Sequence, residues 1–392
     1  MNRAAASARG VITAYYGLAG VANALWGATL PATDARLDLG PGRLAGLLLA
    51  LAVGALAGMP VAGRLAGRWG ASRLLCISAA ASSLGLAVVG TAPTAELLTI
   101  AAVVLGVLFG AFNVALSVQA VAVERAAGTP LMARMHGTWT LGAVAGGAGV
   151  AAGLHAGAGV QVVMGFGALG LTMAALALGR APLPTLPDPP PPSADGPPLR
   201  PRLMIALGVV GIAAFITEGA ATDWAGVHAS WVLGVEPASA SFGYTVFFAA
   251  MTAVRFAGDA LRSRLGAAAT VRLAGCVTTA GFLLVQLAGL LPIGFSGALA
   301  GWALAGAGTA LVWPIVISEL GALSGSARTL SLVTMISYGG GLVGPPLIGS
   351  VATAAGLPSA LLLPTALALG VAIAAPVVLR ATRPTSNTTT GG

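Results

Sequence analysis

Two carboxylates, Glu218 and Asp223, stand five residues apart in a segment that is otherwise almost wholly apolar, between Arg202 and His228. An ionisable side chain in hydrocarbon costs at least about 2.5 kcal/mol, so chains that carry one there usually use it. A carboxylate so placed can take up a proton on one side of a membrane and release it on the other. Counting about 1.5 Å per residue from Arg202 puts Glu218 about 24 Å along a helix, past the bilayer centre. Asp223 falls about 32 Å along, at the far boundary. Five residues of helix turn the two about 140° apart, so both face one cavity only if the helix unwinds, which Gly219 would permit. The plainer reading makes Glu218 a structural tie between helices and Asp223, beside Trp224, an interfacial anchor.

Asn113 and Ser117 lie one turn apart in another apolar segment, with Gln119 and Glu124 beyond them. On a cavity face they would hydrogen-bond a polar solute; between helices they would be polar glue. Asn23 and Trp26 share a face and would offer a sugar-like ligand an amide and a ring, although a Trp there also suits an interfacial belt. Trp313 and Tyr338 are further substrate-cavity candidates. His136 and Thr140 share a face near Glu124, Arg125 and Arg134, a cluster that reads as an inner gate or as a solvated loop rim. Arg64, Arg68, Arg255, Asp259, Arg264 and Glu319 complete the gating candidates. His155 and His228 read as loop-end residues, and Cys76 and Cys276, the only thiols, imply neither a metal set nor a disulfide.

Only membrane helices can position these groups. With 57% hydrophobic and 8% charged residues, a chain of 392 residues cannot solvate the surface of a soluble domain. A membrane barrel would need short alternating segments separated by turns, which are not seen, so the spans are helices. The apolar windows predict twelve of them, roughly 10–32, 43–63, 73–91, 96–122, 136–156 and 160–179, then 203–228, 239–258, 268–290, 293–318, 328–352 and 357–379. Residues 1–180 and 202–380 thus form two six-helix halves, joined by a proline-rich linker at 181–201 and followed by a polar tail at 381–392.

All 19 basic residues are arginine, and with a cytoplasmic N-terminus 17 of them, Arg255 included, fall on the cytoplasmic side. Both termini are therefore expected in the cytoplasm. The arginines are spread through short loops beside spans, which suits inner-leaflet anionic lipid and argues against nucleic acid. In this reading no arginine lies mid-membrane, which disfavours phosphorylated or strongly anionic solutes.

The halves read as copies at an offset of 195 to 199 residues. Arg68-Trp69-Gly70 falls on Arg264-Leu265-Gly266, Trp26 on Trp224, Glu124 on Glu319, and Trp139-x-x-Gly142 on Tyr338-x-x-Gly341. The six-plus-six layout, the long central linker and the Gly-x-x-x-x-Arg-x-Gly loop at Gly63, Arg68 and Gly70 resemble the major facilitator superfamily. Three stretches, FNVALSVQAVAVER from Phe112, GTPLMARMHGTWTLG from Gly128 and EGAATDW from Glu218, resemble its branch that includes the membrane proteins MosC and YbjJ. The resemblance implies an all-α fold of two six-helix pseudo-repeats around a central cavity, alternating access, and no cofactor. It departs where the superfamily usually has an aspartate before the loop arginine: Gly67 and Ser263 stand there, and Asp259, four residues after Arg255, could replace part of that contact.

The expected function is secondary transport of a small polar solute, sugar- or polyol-like, across a bacterial-type inner membrane, coupled to protons, by a monomer. Proton-driven efflux of cationic amphiphiles is the main rival. A transporter-like receptor or scaffold is a lesser one, since linker and tail hold no recognisable signalling domain. A membrane enzyme has no support: there is no Ser-His arrangement and no Cys-x-x-Cys.

Overall fold

The computed structural model describes residues 3–127, 131–181, 183, 201–324 and 327–381. Most of the expected linker and tail lies outside the described residues, as do the side chains of Asp259 and Tyr338. The described residues are helical, in order α1 Arg3–Gly27, α2 Leu30–Leu37, α3 Gly40–Trp69, α4 Ala71–Thr91, α5 Ala95–Ala127, α6 Met132–His155 and α7 Val160–Leu178. After the linker come α8 Pro201–Leu233, α9 Pro237–Ala240, α10 Phe242–Leu265, α11 Ala267–Ala288, α12 Gly294–Ser324, α13 Ala327–Ala355, α14 Leu357–Ala360 and α15 Leu362–Ala381.

Every expected apolar window falls on a helix, and several helices run past it toward the end of the molecule that carries the termini. Their charged last turns are free to stay helical in water. At the opposite end the first window stops early, at Gly27, and the rest of it folds as the separate helix α2. Among the described residues nine stretches are long and apolar enough to cross a membrane. Three long helices lie outside that set: α13; α1, which carries Tyr15, Tyr16 and Asn23; and α6, which carries His136, Thr138 and Thr140. Polar side chains dilute the hydropathy of α1 and α6, and of these Tyr16, Asn23 and His136 face an interior. Large apolar side chains such as Phe166, Ile100 and Ile373 stand exposed on the outer surface, as hydrocarbon-facing residues must.

The packing repeats itself between the halves. α1 lies on α6 as α8 lies on α13, α3 on α5 as α10 on α12, and α4 on α7 as α11 on α15. The loops after α3 and α10 end on Gly70 and Gly266, with φ of 81° and 77° and ψ of 142° and 160°, backbone that a side chain would strain. Between the halves, α3 meets α13 and α6 meets α10.

Small residues set the closest approach. Gly54 and Gly58 on α3 face Val103 and Val107 of α5, while Gly106 and Gly110 on α5 face Leu51 and Ala55 of α3, in each case against backbone. This reciprocal Gly-x-x-x-Gly pair lets two backbones touch where lipid-facing apolarity alone would not hold them. Gly106→Val is expected to lower the melting temperature of the detergent-solubilised protein sharply, because overpacking costs about 1–3 kcal/mol and rigid backbone cannot yield. Gly46→Ala, where an added carbon would meet nothing within 4 Å, should leave it unchanged.

Candidate functional site

Residues from six helices of both halves enclose a cavity of about 400 Å³ at the middle of the molecule. Tyr16, Ala19 and Asn23 come from α1, Asn113 and Ser117 from α5, and His136 and Trp139 from α6. From the second half come Phe215 and Glu218 on α8, Arg255 on α10 and Trp313 on α12. Through Val121 and Met132 the cavity extends toward the end that carries the termini.

Helical spacing explains the convergence. Asn113, Ser117 and Val121 recur every four residues along α5, and Met132, His136 and Trp139 form one stripe of α6. Phe109 and Phe112 line the cavity with Trp139 and Trp313; the Phe215 ring stands 5.2 Å from that of Trp313, and Tyr16 meets His136 edge-on at 5.2 Å. The site is thus aromatic-walled with a few polar groups, as small-solute sites generally are.

Glu218 and Arg255 face each other, Oε2 to Nη2 at 3.9 Å, with side chains 23% and 19% exposed. This overturns the expectation that no arginine lies mid-membrane. The reason is where α10 begins: Arg255 stands 13 residues in from Phe242 and 10 before Leu265, so it is about 15–20 Å from either end of its helix. A sequence signal was available. Tyr244, Phe248, Met251 and Arg255 follow an i, i+4, i+7, i+11 register, and the first three are fully buried. The contact is too long for a direct hydrogen bond, and Arg255 Nε has no partner among the described residues. Donors of the guanidinium and acceptors of the carboxylate remain for a third group.

The helix α8 is unbroken from Pro201 to Leu233, so the 140° separation holds: Glu218 lines the cavity while Asp223 is buried away from it. Trp26 lies against Asp223 and is 4% exposed, so neither residue reaches the cavity; the two helices close over them where Gly27 sits against Thr222 and Tyr244. Asn23 does reach it, and its Oδ1 accepts a 2.7 Å hydrogen bond from the Tyr244 hydroxyl of the other half. His228, expected at a loop end, is instead buried edge-on to Trp302 at 6.2 Å, because α8 continues five residues past it.

The gating candidates separate. Glu124 Oε2 accepts the backbone N–H groups of Leu131 at 2.7 Å and Met132 at 2.8 Å, capping the start of α6. Glu319 pairs at 2.7 Å with Arg262, which also donates to Ser318, and not with Arg264, which is exposed. Arg262 lies one heptad after Arg255 on the same face of α10, whereas Arg264 points about 160° away from Arg262. Arg64 and Arg68 are exposed at the end of α3. Arg134 points away from His136, and Thr140 is buried with its hydroxyl on Gly137 O.

Sequence reasoning missed the contacts that close the other end. Asp34 of α2, 9% exposed, accepts the Trp231 indole N–H of α8 at 2.6 Å and the Gly40 backbone N–H at 3.0 Å. Nearby His155 Nδ1 stands 4.0 Å from Glu236 Oε1 across the same seam. The cavity is therefore sealed at the α2 end and open toward the termini.

No family model matches the chain. It is 31% identical over 366 residues to the "Uncharacterized transporter y4wD" of Sinorhizobium fredii, covering 91% of this chain and 93% of that one. It is 31% identical over 345 residues to an "Uncharacterized MFS-type transporter" of Yersinia pestis, covering 87% and 88%. "Membrane protein MosC" of Rhizobium meliloti is 30% identical over 359 residues, 88% of this chain and 83% of that one. Among solved structures, a point mutant of the nucleoside transporter NupG superposes with a TM-score of 0.71 at 11% identity over 95% of this chain and 100% of that one. A bacterial homologue of the lysosomal transporter Spinster, inward-facing and unoccupied, superposes with 0.70 at 15% identity over 98% and 100%.

Proposed function

The chain belongs to the major facilitator superfamily of membrane transporters, and from that premise we propose that it moves a small neutral polyhydroxylated solute, sugar- or polyol-like, across a bacterial inner membrane in a proton-coupled cycle. The observation that carries the reading is the 3.9 Å gap between Glu218 and Arg255 in an aromatic-walled cavity. A hydroxyl entering that gap donates to the carboxylate and accepts from the guanidinium, so the pair satisfies a neutral solute without an uncompensated charge. Asn23, whose oxygen is held by Tyr244, offers its amide N–H groups, and Asn113 and Ser117 line the opposite wall.

In this reading twelve of the helices cross the membrane as two six-helix repeats, with α2, α9 and α14 lying at one face. The recurrent packing pairs and the matched Gly70 and Gly266 loops support it. Both termini are cytoplasmic, the protein works as a monomer, and the state described is inward-facing. Rocking the halves about the cavity would then open the α2 end. Asp223, sealed beside Trp26, is reached only when that end opens.

A thermal-shift screen of the purified protein against neutral sugars, polyols, amino acids and lipophilic cations, at two pH values, tests the solute class. Stabilisation by neutral polyols that weakens about two- to tenfold in affinity in Asn23→Ala and in Asn113→Ala, the loss of one neutral hydrogen bond each, is expected. Stabilisation by lipophilic cations alone, abolished in Glu218→Gln, would replace this reading with efflux.

A further inference from the structure

We propose that the groove where α1, α6 and α10 meet near the termini is a binding site for an anionic phospholipid, its headgroup phosphate held by Arg9 and Arg134. The groove has a volume of about 480 Å³ and is lined by Arg9, Gly10 and Thr13 of α1, Arg134, Gly137, Thr138 and Leu141 of α6, with Leu131 just before it, and Phe256 of α10. It is separate from the solute cavity. On α6 the stripe Met132, His136 and Trp139 faces the cavity, while Arg134, Thr138 and Leu141, offset by two residues and so about 200° around, face the groove.

Charge and apolarity are graded along it. Arg9 and Arg134 stand at the end of the molecule where arginines concentrate, and neither pairs with a carboxylate among the described residues. The carboxylate of Glu124, in the last turn of α5, is taken by two backbone amides. Leu141, seven residues and so about 10 Å further along α6, is 54% exposed, and Phe256 is 75% exposed. The floor is open: a carbon added at Gly10 or Gly137 would meet nothing within 4 Å. Two cations at headgroup depth above a bare apolar wall fit an anionic amphiphile. A free anion would use the arginines and leave the wall uncovered. Phosphate diesters suit guanidinium donors, and basic pockets between helices at a membrane face are known lipid-headgroup sites.

Native mass spectrometry of the detergent-solubilised protein, titrated with phosphatidylglycerol, phosphatidylcholine or inorganic phosphate, tests the site. Phosphatidylglycerol adducts are expected at concentrations where phosphatidylcholine gives none. The Arg9→Gln/Arg134→Gln variant should lose about tenfold in apparent affinity, as expected for charge-assisted hydrogen bonds. Gly137→Leu, which fills the floor but keeps both arginines, should lose a similar amount. Unchanged adducts in the arginine variant overturn the proposal. So does competition by inorganic phosphate as effective as that by phosphatidylglycerol, which would make the site one for a free anion. Should Gly137→Leu fail to fold, the arginine variant decides alone, since Arg134 is solvent-exposed and Arg9 only partly covered.

Discussion

Glu218→Gln is expected to abolish pH-gradient-driven accumulation of solute in proteoliposomes while leaving solute exchange at equal pH largely intact. One coupled proton and a gradient of one pH unit support about tenfold accumulation, because about 1.4 kcal/mol corresponds to a factor of ten. The variant should therefore bring the inside-to-outside ratio from about ten to about one. Glutamine keeps the shape and an acceptor oxygen but cannot carry a proton through the cycle. Arg255, 3.9 Å away, would then stand without its counter-charge, so binding of neutral solutes should weaken somewhat in the single variant and recover in Glu218→Gln/Arg255→Gln. Accumulation at the wild-type ratio would remove Glu218 from coupling and leave it a structural partner of Arg255.

The second large effect is expected at the closed end. Asp34 holds both its own half, through Gly40 N–H, and the other half, through the Trp231 indole. Hydrogen bonds to a charged acceptor contribute about 1.5–3 kcal/mol, and their loss on one side of a two-state equilibrium shifts it about ten- to hundredfold. Asp34→Ala, and more mildly Trp231→Phe, should therefore populate a state open at the α2 end. Cysteines introduced by Gly42→Cys and Thr353→Cys, in a background with Cys76 and Cys276 replaced by serine, report on it. A carbon added at Gly42 would lie 3.8 Å from the Thr353 side chain across the α3–α13 seam. Oxidative cross-linking should be fast with Asp34 present and slowed at least several-fold without it. An unchanged rate would show that the seam is held by apolar packing alone.

Much of the architecture was legible because a bilayer leaves the backbone few options. In hydrocarbon every peptide group must be satisfied within its own segment, so apolar windows and helices coincide, from Ala71–Thr91 to Val160–Leu178, within a few residues. The cavity-facing residues were legible for a related reason. A polar side chain on such a helix must find an interior, and Asn23, Asn113, Ser117, Glu218 and Trp313 all found the same one, which His136, expected at a gate, lines as well.

Other assignments depended on where a helix starts and what it meets. Arg255 looked like a loop-side charge because its apolar window ends three residues after it, yet α10 continues to Leu265 and carries that side chain into the cavity. Trp26 had the right spacing from Asn23, but packing of α1 against α8 buries it. Glu319 chose Arg262 over Arg264 by helical phase. The Asp34–Trp231 latch joins residues 197 apart, and no local pattern announces it.

By itself, then, the amino-acid sequence determined that this chain is a helical membrane protein with an acid immersed in its second half, because hydropathy, charge and period are local and additive properties. The tertiary structure alone decided that Arg255 faces that acid, that Asp223 does not share its cavity, and which end of the cavity is shut. Those outcomes depend on the rotation and mutual contact of helices far apart in the chain, which is set by how whole faces pack.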